Sequence, residues 1–218
     1  MNDRIIKVKG IGTVSAKPDL IIITMELDTT EFDYQTTMEK AASELDALRT
    51  ALISAGYEKD SLKTTDFNIN TDYKSIEDSR GNWKRKFIGY KCTHKLKLEF
   101  DFSMERLNKT LSAIALCPAK PKLEINFSIK DKNAVSEQLL QSAVKNASEK
   151  AAVLAQAANL SLGAIKSIDY SWGELILYSD TKFLKPLECC ESESASDMDI
   201  EPEEIMANES VTIVWEIV

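Results

Sequence analysis

The stretch FIGYKCTHKLKLEFD, Phe87–Asp101, decides the fold. Ile88, Tyr90, Cys92, His94, Leu96, Leu98 and Phe100 fall on one side of an extended chain, and Gly89, Lys91, Thr93, Lys95, Lys97, Glu99 and Asp101 on the other. Alternation of this length describes a strand with one dry and one wet face, as antiparallel sheets have. It also sets His94, the only histidine, among the inward residues. Imidazole does most acid–base chemistry near neutral pH, so a chain that buries its only one has few ways to build an enzyme site.

Working outward, Arg4 to Ser15 reads as a strand, Lys17-Pro18-Asp19 as a turn, and Leu20 to Thr30 as the return strand of a hairpin. Asp33 is placed to cap a helix carrying Met38, Ala41, Leu45, Leu48 and Leu52 on one stripe, with Gly56 as its stop. Phe67, Ile69, Thr71 and Tyr73 alternate with Asn68, Asn70 and Asp72, which predicts a strand forming a second hairpin with Phe87–Asp101. Ser103 caps a short helix that ends before Pro118, and Lys122 to Lys130 alternates as a strand. Asp131 or Asn133 caps a long helix to about Leu160, with Ala143, Ala147, Ala151, Ala155 and Ala158 on its inner side together with Val135, Leu139 and Leu154. Ala164 to Trp172 and Ser210 to Val218 read as strands. The order β-β-α-β-β-α-β-α-β-β predicts an α+β fold, largely antiparallel, with helices packed on one side of the sheet.

The 218 residues suffice for a buried core, and the expectation is one domain, 1–218, with an acidic mobile loop, 179–208, before the last strand. Net charge is −8, and residues 188 to 204 hold eight acids and no Lys or Arg, so the rest is neutral. That balance argues against nucleic-acid binding, which needs a net basic surface. No apolar run reaches membrane-spanning length and no leader is visible, so the cytoplasm is the expected compartment, or the periplasm or envelope if a leader has been removed.

Each candidate site competes with a plainer reading. His94 reads as structural. Cys189-Cys190, beside carboxylates that disfavour thiolate, read either as incidental thiols or as a redox-responsive pair, with Cys117 as a possible third member. Cys92 packs as a small hydrophobe. Asp197, Asp199 and Glu201 alternate as cation ligands do but lack the glycine and distal glutamate of a calcium loop, so no metal site is expected. Arg80-Gly81-Asn82-Trp83-Lys84-Arg85-Lys86 reads as a solvated basic tip, or as a patch that docks on the acidic 188–204 loop of a neighbouring copy.

The order of elements and several local motifs resemble the SIMPL-domain family, which includes bacterial periplasmic immunogenic and oxidative-stress-defence proteins. Val8-Lys9-Gly10-Ile11-Gly12-Thr13-Val14 with Lys17-Pro18-Asp19 is similar to the family's opening. The alanine-rich helix with Leu162-Gly163 resembles its late helix and turn, and Ile200 to Ile205 with Val211-Thr212-Ile213 its last strand. Asn159 stands near where a glycine is usual, and asparagine tolerates the left-handed conformation. The resemblance implies homo-oligomeric assembly and partner binding, in stress protection, and carries no catalytic residues and no cofactor. The expected function is therefore non-enzymatic. The alternatives are a thiol-based redox protein using Cys189 and Cys190, and a small enzyme working with carboxylates and tyrosine alone.

Overall fold

A computed structural model describes residues 4–77, 81–170, 175–181, 183–184 and 200–218. The elements are β1 (Ile5–Ala16), β2 (Leu20–Glu31), α1 (Tyr34–Ser54), β3 (Leu62–Glu77), β4 (Trp83–Asp101), α2 (Met104–Ala115), β5 (Lys122–Ser128), α3 (Lys132–Ala157), β6 (Leu162–Asp169), β7 (Phe183–Leu184) and β8 (Ile205–Ile217). The fold is α+β. The predicted order holds, with the two-residue β7 added. The chain forms two compact units.

One unit carries the five-stranded sheet β3-β4-β2-β5-β7. The alternation of β4 is realised from Cys92 to Phe100: Cys92, His94, Leu96, Leu98 and Phe100 are buried, each separated from the next by a more exposed residue. It fails before that, where Ile88, expected inward, is exposed and Gly89 is buried, because the ladder with β3 shifts register there and leaves Ile88 unpaired. β2 pairs antiparallel with β4 from Leu20↔Asp101 to Glu31↔Tyr90. Ile21, Ile23, Met25 and Leu27 thereby join Leu96, Leu98 and Phe100 in the main core, which Leu48 and Leu52 of α1 and Leu107 and Ile114 of α2 close. Both helices start where the sequence supplies an acceptor. Asp33 accepts from the Thr36 amide at 3.0 Å and Ser103 from the Arg106 amide at 3.2 Å. Within the core the Tyr57 and Thr110 hydroxyls are hydrogen-bonded at 2.7 Å, so neither buried group is left unsatisfied.

The other unit carries the three-stranded sheet β1-β8-β6. The alanine face of α3 lies on β1 so closely that a Cβ on Gly10 would stand 2.1 Å from the Ala143 carbonyl oxygen, and one on Gly12 2.0 Å from that of Leu139. Ala143, Ala147 and Ala151 are fully buried with Val8, Val211, Ile213 and Trp215, whereas Leu154 and Ala158, expected on the same face, are exposed at the helix's C-terminal end. α3 also covers the outer edge of β1: the Ile11 amide donates to Asn146 Oδ1 at 3.0 Å and the Thr13 amide to Ser142 Oγ at 3.4 Å. Asn159, past the helix, has φ 53°, the left-handed geometry expected of it.

Three expectations need correction. β1 and β2 do not form a hairpin: β1 pairs along its whole length with β8 and β2 with β4. The turn residue bonds elsewhere, since the Asp19 amide donates to the Ser128 carbonyl and its carboxylate accepts from the Lys130 amide. The last strand starts at Ile205, not Ser210, because Ala16↔Ile205 extends the ladder with β1. Strand β6 runs from Leu162 to Asp169 rather than from Ala164 to Trp172, and Trp172 lies outside the described residues.

Candidate interaction surface

β4 is longer than the strand it supports. Its pairing with β2 stops at Tyr90, while its pairing with β3 continues to Glu77↔Trp83. Asp72–Glu77 and Trp83–Gly89 therefore run on as a two-stranded arm. Such a ribbon has little core of its own, and here rings hold its base. Phe87 meets Phe32, Tyr73 and Tyr90 edge-on at centroid distances of 5.5, 5.7 and 5.5 Å, and Tyr34 meets Tyr90 at 5.5 Å. The Arg85 guanidinium lies 4.6 Å from the centre of the Tyr73 ring. Phe32 and Trp83 are each 72% exposed, and Tyr34, Tyr73, Ile76 and Ile88 are exposed as well. Aromatic surface of this extent is unusual on a face that stays wet.

The sequence placed Trp83 and the basic residues at this tip but missed the ring cluster. Its members come from the end of β2, the start of α1 and both strands of the arm, so no local period announces them. The signal available was the spacing of aromatics at Phe32, Tyr34, Tyr73, Phe87 and Tyr90 around the ends of predicted strands. Arg80 lies outside the described residues, as do Cys189, Cys190, Asp197 and Asp199. Of the acidic 188–204 segment, 200–204 are described: Ile200 packs on the main core and Glu201 is exposed.

His94 is buried, as its strand face required. Its Nε2 shares a hydrogen bond of 2.9 Å with Thr64 Oγ1, and Phe67 meets its ring edge-on at 5.1 Å. Burial, with the positive charge of Arg49, lowers its pKa below the ordinary 6.5. The neutral ring is thus the stable form at pH 7, held by a hydroxyl that the sequence did not reveal as its partner. Cys92 is buried too, and burial, then the charges of Glu44 and Asp28, raise its thiol pKa, so it is a poor nucleophile. Cys117 is buried and free.

The wet face of the same sheet carries an ion network. Lys122 Nζ lies 2.7 Å from Asp28 and 2.9 Å from Glu26, Lys91 lies 3.0 Å from Asp28, and the Thr93 hydroxyl donates to Asp28 at 2.8 Å. Partial burial pushes the Asp28 carboxyl up, but the bonds from Lys122, Lys91 and Thr93 outweigh it and hold the pKa at about 2. Each acid faces lysines, so the network is internally neutralised. Among the described residues no cluster of three or more His, Cys, Asp or Glu side chains is arranged to hold a metal ion, and no helix is long and apolar enough to cross a membrane.

A family model described as SIMPL, a protein of unknown function (DUF541), matches residues 6–215, nearly the whole chain. Comparison with curated proteins returns no match.

Proposed function

The chain belongs to the SIMPL family, and on that premise we propose that it works without catalysis, by assembling with copies of itself and holding a protein partner, in stress protection. The observation that carries this reading is the arm beyond Tyr90: two strands with exposed Tyr73, Ile76, Trp83 and Ile88, propped by a ring cluster that opens onto Phe32 and Tyr34. Aromatic side chains with an arginine among them are the groups that anchor protein interfaces, because they bury large areas at small entropic cost. The internal pairing of the ion network and the burial of His94 and Cys92 fit a surface for contact better than one for bond chemistry.

The alanine face of α3 offers no surface for a partner, since β1 already occupies it. Light scattering after size exclusion tests the proposal. The expected mass exceeds that of one chain and falls when Trp83→Ser and Tyr73→Ser are introduced together. The mass of one chain at every concentration, with no partner retained from the native cell, would overturn it.

A further inference from the structure

Among the described residues β3 is the terminal strand of its sheet, and only β4 pairs with it. From Lys63 to Glu77 its residues are exposed, apart from Ile69 and Asp72, which are half-buried. The contrast with β1 is direct: α3 covers the outer amides of that edge strand with Asn146 and Ser142, whereas β3 has its ladder to β4 on one side and no described strand or helix on the other. An edge of this length is a template for another strand. Beyond the irregularity between Thr64 and Asp66, a second one in the ladder, between Asp72 and Tyr73, has its extra residue, Ile88, on β4, so that past Thr65 β3 itself continues without an inserted residue.

The sequence of that regular stretch, DFNINTDYK, is complementary to itself when reversed about Asn70. Laid antiparallel on its own copy, Asp66 stands opposite Lys74, Phe67 opposite Tyr73, Asn68 opposite Asp72, Ile69 opposite Thr71, and Asn70 opposite Asn70. Every pair but the central one occurs twice, as a two-fold axis requires. Neighbouring registers are worse. An axis at Ile69 sets Asp66 against Asp72 on both sides, and an axis at Thr71 sets Phe67 against Ser75 and Asp66 against Ile76.

The ladder within one chain points the same way. Lys74 stands directly across from Lys86, a like-charge pair that disfavours the arm. A second copy would bring Asp66 to the other side of Lys74.

We propose that the bare edge of β3 pairs antiparallel with β3 of a second copy, with Asn70 on the two-fold axis, joining the two five-stranded sheets into one. This deepens the assembly reading above and rests on it, naming the edge and the register. Phe67 and Tyr73, half-exposed in one chain, cover each other across the axis. The opposed charges select this register against its neighbours.

Sedimentation of the full chain, with a cross-linking arm, tests the proposal. Lys74→Glu leaves the in-chain ladder relieved, since it faces Lys86, but sets one acid against Asp66 of the copy in each of the two symmetric pairs. It should weaken the dimer about tenfold, because two opposed pairs each worth a few tenths of a kcal/mol to one become repulsive. Adding Asp66→Lys to Lys74→Glu should restore the dimer; because position 66 faces Lys95 within the chain, Asp66→Lys alone is the control for that in-chain cost. In a Cys189→Ser, Cys190→Ser background, Asn70→Cys should oxidise to a covalent dimer, since directly opposed Cβ atoms lie about 5 Å apart. Asn68→Cys alone should not, because its copy is displaced by four positions along the strand.

Asp66, Asn68, Asn70 and Lys74 are exposed, and circular dichroism checks that every variant is folded. A self-associating chain that ignores Lys74→Glu, is not rescued by the double change, or cross-links equally at 68 and 70 would overturn this register while leaving assembly standing. A chain that sediments as a monomer at every concentration would overturn both.

Discussion

Gly12→Ala adds one carbon where two backbones nearly touch. That carbon would lie 2.0 Å from the Leu139 carbonyl oxygen and 2.7 Å from the Ala143 amide nitrogen, whereas ordinary contact begins at 3.4 Å. Both obstacles are helix backbone, so no side chain can swing away. α3 must retreat from β1 by more than an ångström. A retreat of that size strains the bonds of the Ile11 and Thr13 amides to Asn146 and Ser142 and opens a gap beneath Ala143 and Ala147. A gap of about 0.5–1 Å already forfeits a quarter to a half of each dispersion contact along its length. Alanine also narrows the unfolded ensemble, which returns about 0.4–1 kcal/mol. Overpacking against unyielding backbone outweighs that, and the net loss should be about 3 kcal/mol, the upper end of the usual range for such insertions. Urea unfolding followed by fluorescence measures it, since Trp215 is buried in the same cluster. Gly163→Ala is the control: its added carbon meets the Glu216 Cβ at 3.1 Å and the Glu216 carbonyl oxygen at 3.3 Å, so a shift of a few tenths of an ångström suffices and the loss should stay below about 1 kcal/mol. Equal midpoints for wild type and Gly12→Ala would refute the claim that α3 and β1 are locked backbone to backbone.

Two predictions concern pH. The lowered His94 pKa means that the folded chain takes up this proton less readily than the unfolded one, so stability falls as pH drops below about 6.5; His94→Gln should flatten that part of the pH–stability curve, and an unchanged slope would show the ring to be solvated. Asp28 has a depressed pKa, so its contribution is complete above about 4 and lost as pH falls towards about 2. Asp28→Asn should therefore cost on the order of 1 kcal/mol at pH 7 and nothing measurable near pH 2, by denaturant titration at both values.

What the sequence disclosed was whatever repeats locally. The alternation of β4, the acceptors at Asp33 and Ser103 and the small inner face of α3 all encode structure within a few residues of themselves, and each is where the reading put it except at its end: Ile88 turns outward and Leu154 and Ala158 are exposed. Pairing is not encoded that way. Nothing near Pro18 says that β1 and β2 part company, because the ladder that claims β1 is built by residues 205–216. The site suffered from the same limit. Trp83 and the basic tip were visible, yet the rings that support them converge from β2, α1, β3 and β4, and the Thr64 hydroxyl reaches His94 only across the β3–β4 ladder. The self-complementarity of β3 was in plain letters, but it acquires meaning only once the strand is known to end its sheet.

The twelve-residue ladder between β1 and β8 has a temporal consequence. On a ribosome, residues 5–16 emerge long before residues 205–217, and antiparallel pairing over so great a separation closes late and slowly. The strands and helices between 20 and 127 find their neighbours within reach and can settle first. β1 spends most of synthesis as an orphaned ribbon with its hydrogen-bonding groups open, a period when a chaperone, or another nascent chain, has the first chance to claim it.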